Sequence, residues 1–296
     1  MYVSKASGRG TQSVYAVGMH QDLARRLALE HDLRHAVERN ELQVHLQGKW
    51  HPDGRLLGAE ALLRWNHPAL GPVSPAEFIG IAEDSSLILN IGRWVFEQAC
   101  AWLAAQLAEG NTVPVAVNVS PRQFRHSRLT NDLVDIATAA GVSPALITLE
   151  ITEGVLLDEG ARQQLHKLAE VGFRISIDDF GTGYSSLLYL KRLPVHEIKI
   201  DKGFIRDLGQ DPDDAVLIEA MLAMADSFDI DVVAEGVETA TQAAFLASRG
   251  CVAHQGYYYD RPCPAGDFKA GRSASGGAVW QISDPRCSEA MERTTA

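Results

Sequence analysis

Acidic and amide side chains recur in this 296-residue chain at the ends of short apolar runs. Glu60, Asn118, Glu150, Asp178 followed by Asp179, Glu235 and Gln255 each close such a run, and Lys199 does so in the frame Ile198-Lys199-Ile200-Asp201. Oxygen ligands without clustered His or Cys select a hard cation, Mg²⁺ or Mn²⁺, over zinc. None of the ten histidines forms an HExxH-type pair, and His31 and His35, one helical turn apart on a leading helix, read as surface residues. The carboxylates suffice for two cations, a pair that would clamp the attacking and leaving oxygens of a phosphoryl displacement. Lys199 would orient or deprotonate the attacking water and offset charge in the transition state.

Each group also has a plainer reading. Glu60, among the apolar residues of the 58–65 segment, could pair with Arg64, since a buried charge needs a partner. Asn118 could cap the turn that follows it. Glu150 and Glu153 are three apart on a strand and therefore face opposite ways, which implies different jobs. Asp178-Asp179-Phe180-Gly181-Thr182-Gly183 could be a turn, but adjacent aspartates can flank cations, and the glycines allow close backbone approach or loop motion. Caps and turns do not by themselves place a polar group at the end of strand after strand, so the set outweighs its members.

The elements that must carry these groups follow from the patterning. Apolar runs at 56–60, 113–118, 146–150, 174–178, 197–199, 231–235 and 251–255 read as strands. Helical spacing appears over 22–38, 87–107, 129–140, 161–171, 185–192, 213–226 and 240–248. Ser74, Pro75 and Glu77 have the N-cap, N1 and N3 chemistry of a helix start. Gly110, Gly141, Gly172 and Gly250 stand where helices should end. This alternation describes a TIM-like (β/α)8 barrel with its site at one rim. A strand at 42–46 lies too close to the next one for a parallel crossover, so one antiparallel strand is expected near the start.

Composition is consistent with this. A barrel of roughly 250 residues accounts for most of the chain, and a hydrophobic fraction of 46% is ordinary for a globular domain. The net charge of −11 argues against nucleic-acid polymers as partners, although bound cations would reverse the sign locally at the site. Cys100, Cys251, Cys263 and Cys287 form no paired framework and read as reduced thiols. No run reaches the roughly 18 apolar residues of a membrane span. A cytoplasmic location is expected, with a longer parent protein possible on a membrane.

The motifs together resemble the EAL family of cyclic di-GMP phosphodiesterases. They are Glu60-Ala61-Leu62 with Leu63-Arg64-Trp65, Asn118-Val119-Ser120, Glu150-Ile151-Thr152-Glu153, Asp178 through Leu187, Ile198-Lys199-Ile200-Asp201, Ala234-Glu235-Gly236-Val237-Glu238 and Gln255-Gly256-Tyr257. The resemblance implies hydrolysis of cyclic di-GMP to linear pGpG with two metal ions. One ion would be held by Glu60, Asn118, Glu150 and Asp178, and the second around Asp178, Asp179 and Glu235. Lys199 matches the lysine at the nucleophilic water, and Glu153 the glutamate that anchors the 179–186 loop. Gln47, Leu63, Arg64, Asn118, Asp201, Glu238 and Gln255 match substrate-contacting positions. A homodimer is also implied by the resemblance. A catalytically silent receptor for the same nucleotide is the alternative.

One departure concerns Gly48, which stands where the family commonly has proline. It is expected to loosen the backbone and weaken binding modestly. Residues 1–21 resemble the end of an upstream GGDEF domain, the barrel is expected over 22–268, and 269–296 read as a tail.

Overall fold

A computed structural model describes residues 17–183, 190–208 and 212–270. The expected helix at 185–192, the upstream remnant and the tail fall largely or wholly outside these residues.

A leading helix, α1 (Val17–Leu33), precedes β1 (Leu42–Trp50), which returns through a tight turn into β2 (Leu56–His67). Gly54 takes φ +89 in that turn, and the His51 amide donates to the Arg55 carbonyl at 2.9 Å. A two-strand connection this short can only be antiparallel, and the register from Leu42↔Trp65 to Trp50↔Leu56 is antiparallel throughout. β2 leaves the barrel after Ala61 and runs on to pair with the short β3 (Gly71–Val73). Glu60 is therefore placed within a long strand rather than at its end.

Alternation then sets in. Helices α2 (Pro75–Ser85) and α3 (Leu87–Ala108) lead to β4 (Val115–Asn118). Next come α4 (Pro121–Phe124), α5 (Leu129–Ala139) and β5 (Ile147–Thr152), then α6 (Glu159–Val171) and β6 (Arg174–Phe180). After β7 (Glu197–Ile200) follow α7 (Lys202–Arg206), α8 (Pro212–Ser227), β8 (Asp231–Ala234), α9 (Ala240–Ser248) and β9 (Ala253–His254). Ser74 is the N-cap of α2 with Pro75 in its first turn, but its side chain makes no cap bond; Glu77 instead holds Arg25 of α1 at 2.5 Å. Helix α6 is closed at both ends, with the Asp158 carboxylate accepting from the Ala161 amide and Gly172 left-handed at φ +108.

Pairing runs β1-β2-β4-β5-β6-β7-β8-β9 and returns to β1. Every neighbour from β2 to β9 is parallel, and only β1 is antiparallel within the closed ring. The eight strands form the expected TIM-like barrel, with β3 and the two-residue β10 (Cys263–Pro264) as annexes. A single register pair, Trp50↔His254, closes the seam. There the buried His254 ring bonds the Tyr259 hydroxyl at 2.7 Å and the Cys251 carbonyl at 3.1 Å. Burial pushes His254 down to about 4, so it is neutral there.

The main apolar core lies between strands and helices. In β7, Ile198 and Ile200 belong to that core, while Glu197 and Lys199 face the barrel interior. Among the described residues, Cys100 and Cys251 are buried free thiols, and no helix is long and apolar enough to cross a membrane.

Candidate active site

Lys199 organises the rim. Its buried Nζ lies 2.6 Å from Glu235 Oε1, 3.1 Å from Glu150 Oε2, 3.2 Å from Glu60 Oε2 and 3.3 Å from Asp178 Oδ1. Burial alone would lower the lysine's pKa, but Glu150, Glu60, Glu235 and Asp178 outweigh it and raise the value well above normal. Lys199 is thus an ammonium, a donor and a positive charge rather than a base in this state. Around it, Asn118 Nδ2 donates to Glu60 Oε1 at 2.7 Å and to Glu150 Oε2 at 3.3 Å. Gln255 Nε2 donates to Glu60 Oε2 at 2.7 Å and to Gln47 Oε1 at 3.3 Å.

The carboxylates differ in their electrostatics. Burial would raise Glu60, yet Lys199 and the Gln255 hydrogen bond hold it down at about 2. Glu235 is pushed up to about 7 by burial, against the pull of Lys199 and with repulsion from Asp178. Burial and the charge of Glu60 raise Glu150. A crowd of acids of this kind requires positive charge, and one ammonium does not neutralise it.

Asp179 shows how the fold places two consecutive aspartates together. Neighbours on a strand face opposite sides, but Asp179 takes φ +53, and the β6–β7 ladder shifts register between Ile177 and Phe180. The bulge re-aims the side chain. Ligand oxygens of Asp178, Asp179 and Glu235 consequently all lie within 4.8 Å of one another. Burial, the charge of Asp178 and the nearby Asp201 raise the Asp179 carboxyl.

The chain that carries these oxygen-only donors around a buried cation matches a known family over most of its length. The EAL domain model matches residues 30–262. The chain belongs to the EAL domain family. Among relatives, a bifunctional diguanylate cyclase/cyclic di-GMP phosphodiesterase, MucR, of Pseudomonas aeruginosa is 42% identical over 272 residues, covering 90% of this chain and 39% of the relative. The cyclic di-GMP phosphodiesterase PdeR of Escherichia coli is 36% identical over 271 residues, covering 91% and 41%. The chain therefore spans about two fifths of the length of these relatives. A solved structure of the MucR phosphodiesterase in complex with cyclic di-GMP is similar at a TM-score of 0.79 and 44% identity, covering 81% of this chain and 98% of that one.

Within this EAL domain, Glu60, Asn118, Glu150, Asp178, Asp179, Lys199, Glu235, Gln47 and Gln255 are brought into one cluster or its edge. Glu153 is not in it. It follows β5 in a 3₁₀ turn, and its Oε2 accepts the Gly183 amide at 3.2 Å, away from the face that Glu150 presents. Arg64 is half-buried and donates to the Leu63 carbonyl at 2.9 Å, so its hydrogen bond goes to the backbone and not to Glu60. Asp201 caps α7 through the Gly203 amide at 2.8 Å. The exposed Glu238 is anchored through its amide to Gln242 Oε1.

Three residues escape the sequence reading. Asp260 is buried, accepts Gln47 Nε2 on its carbonyl at 3.1 Å, and accepts the Gly48 amide on its carboxylate at 3.2 Å. Lys49 and Glu197 lie inside the barrel below the rim, paired at 2.6 Å. Their only sequence signal is position, two residues from Gln47 and Lys199 on strands whose alternate residues face inward. Gly48 also departs from expectation. A Cβ there would run into the Trp50 indole, and the amide is engaged by Asp260, so the segment is packed and bonded rather than loosened.

Proposed function

We propose that this EAL domain hydrolyses cyclic di-GMP to linear pGpG with two divalent cations, Mg²⁺ or Mn²⁺. The observation that carries the reading is the convergence of Glu60, Glu150, Asp178 and Glu235 on Lys199, with Asp179 turned into the same group. With all five carboxylates ionised, as metal ligands must be, one ammonium leaves four negative charges, which the four positive charges of two divalent cations balance. Hard oxygen donors fit Mg²⁺ or Mn²⁺. Glu60, Asn118, Glu150 and Asp178 would hold one ion, and Asp178, Asp179 and Glu235 the other. Such a pair, when bound, activates water and neutralises charge on the phosphoryl oxygens.

The chain's own groups do the rest. Lys199 donates to the attacking water and faces charge that builds on the phosphoryl group. Gln47, Leu63, Arg64, Asn118, Asp201, Glu238 and Gln255 contact the nucleotide, with Gln47 held by Asp260 and Gln255 by Glu60. Glu153 acts through the backbone at Gly183, fixing the loop that carries Asp179. We place the domain at 22–268, in the cytoplasm and as a homodimer. The relatives' names and the MucR complex support the substrate.

The test is incubation with cyclic di-GMP and Mn²⁺ or Mg²⁺, chromatography of products, a chelated control and Glu60→Ala. Metal-dependent pGpG that disappears in Glu60→Ala is the expected result. Tight binding of uncleaved nucleotide by the wild type would make the domain a receptor instead.

A further inference from the structure

Barrels of this kind normally fill their interior layers with branched apolar side chains. Here the layer below the rim contains an ion pair. Lys49 projects inward from β1, and its Nζ reaches Glu197 Oε1 of β7 at 2.6 Å and Glu150 Oε1 of β5 at 3.0 Å. The Lys49 side chain is 7% exposed, Glu150 fully buried and Glu197 13% exposed. Charges at this depth carry a desolvation penalty, and an apolar layer of the same volume is often as stable or more so. Stability alone does not explain the pair.

Its placement does. The two oxygens of Glu150 have separate partners. Oε2 faces the rim, toward Lys199 at 3.1 Å and Asn118 at 3.3 Å. Oε1 faces down to the Lys49 ammonium, an ion pair without hydrogen-bond alignment. Glu197 accepts a hydrogen bond from Lys49 and balances its charge, so the pair holds Glu150 from below with little net charge added. We infer that Lys49 and Glu197 are positioning residues for the metal site, acting through Glu150 by fixing which oxygen faces the rim. This rests on the reading of Glu150 as a metal ligand. Partners that orient a ligating carboxylate typically change metal affinity 10–100-fold when removed.

The test measures Mn²⁺ affinity by calorimetry on the purified chain, with no nucleotide present. Lys49→Met with Glu197→Met replaces the pair by apolar side chains without changing net charge, and should weaken Mn²⁺ binding about 10- to 100-fold. Its melting temperature in chelator should fall less than that of Lys49→Met alone, which leaves Glu197 as well as Glu150 without that cation, and excess Mn²⁺ should restore kcat. Lys49→Met alone should bind Mn²⁺ as weakly. Should that variant fail to fold with Glu197 left unpaired, the double variant decides by itself. Mn²⁺ binding by the double variant at wild-type strength or tighter would overturn the inference, because Lys49 would then be only a buried cation repelling the metal. Glu150→Gln separates the two levels. If it leaves Mn²⁺ affinity unchanged, Glu150 is no ligand, and both the metal assignment and the inference fall. If it weakens Mn²⁺ while the double variant does not, the inference alone falls.

Discussion

At the scale of single residues, Lys199 has an observed job among the carboxylates and a proposed one at the attacking water, and the two can be separated. Without metal it is the cation that the rim carboxylates share, held at 2.6–3.3 Å from four of them. Removing one partner of a buried ion pair costs roughly 3–5 kcal/mol, because the remaining charges are left uncompensated. Lys199→Met in chelator should therefore melt on the order of 10 °C lower, at about 2–4 °C per kcal/mol for a domain of this size. Divalent metal should recover most of that loss by supplying positive charge to the same oxygens. Turnover should not recover. Loss of the group proposed to contact the water is expected to lower kcat about 10²- to 10⁴-fold, with substrate affinity changed less than about tenfold. Scanning calorimetry with and without Mn²⁺, beside steady-state kinetics, checks both parts. Equal losses in binding and turnover would contradict a role at the reacting atoms.

At the scale of elements, β1 is the strand whose behaviour the sequence hid most. Gly48 read as a loosened version of the family's usual proline. In the fold its amide bonds Asp260, and the Trp50 ring fills the space above its Cα. Trp50 is fully buried and stacks on Tyr259 at 6.4 Å between ring centroids. Glycine and tryptophan are thus one packing solution. Gly48→Pro should remove a donor and overpack the ring, at a cost of about 1–3 kcal/mol. Combining it with Trp50→Val should restore part of that loss, so denaturant unfolding of both singles and the double should show coupling rather than additivity. Purely additive losses would mean that the two positions are independent.

The same strand shows what was legible. The barrel, the antiparallel β1 and the polar residues toward strand ends follow from local periodicity and connection length, and the structure has them, except that Glu60 lies within a longer strand. Side-chain direction at Asp179 depends on a positive φ and a shifted ladder, which no alternation pattern encodes. Lys49 and Glu197 become a pair only when β1 and β7 face each other across the closed barrel.

At the scale of the whole molecule, the barrel combines an excess of acidic groups at one rim with a chain whose net charge is already −11. Its stability should therefore depend on divalent cations more than on monovalent salt. Binding to the folded state at a hundredfold excess over Kd adds about 2.7 kcal/mol per site, which corresponds to about 5–10 °C in melting temperature at this size. Mg²⁺ and Mn²⁺ should each produce such a shift, and Glu60→Ala should reduce it. Calcium separates stability from chemistry. It accepts six to eight oxygens at about 2.3–2.6 Å in flexible geometry, whereas Mg²⁺ requires a near-octahedral set at about 2.0–2.1 Å. Oxygens gathered on rigid strand ends can bind the larger ion, yet they would hold two such ions in the wrong relation to an in-line displacement. Calcium should raise the melting temperature while supporting less than about one hundredth of the Mn²⁺ turnover, since small misplacements of reacting groups cost about that much. Thermal unfolding and product chromatography on the same samples compare the two effects. Full turnover in calcium would remove the requirement for a tightly spaced metal pair, and no thermal shift with any divalent ion would remove the metal site itself.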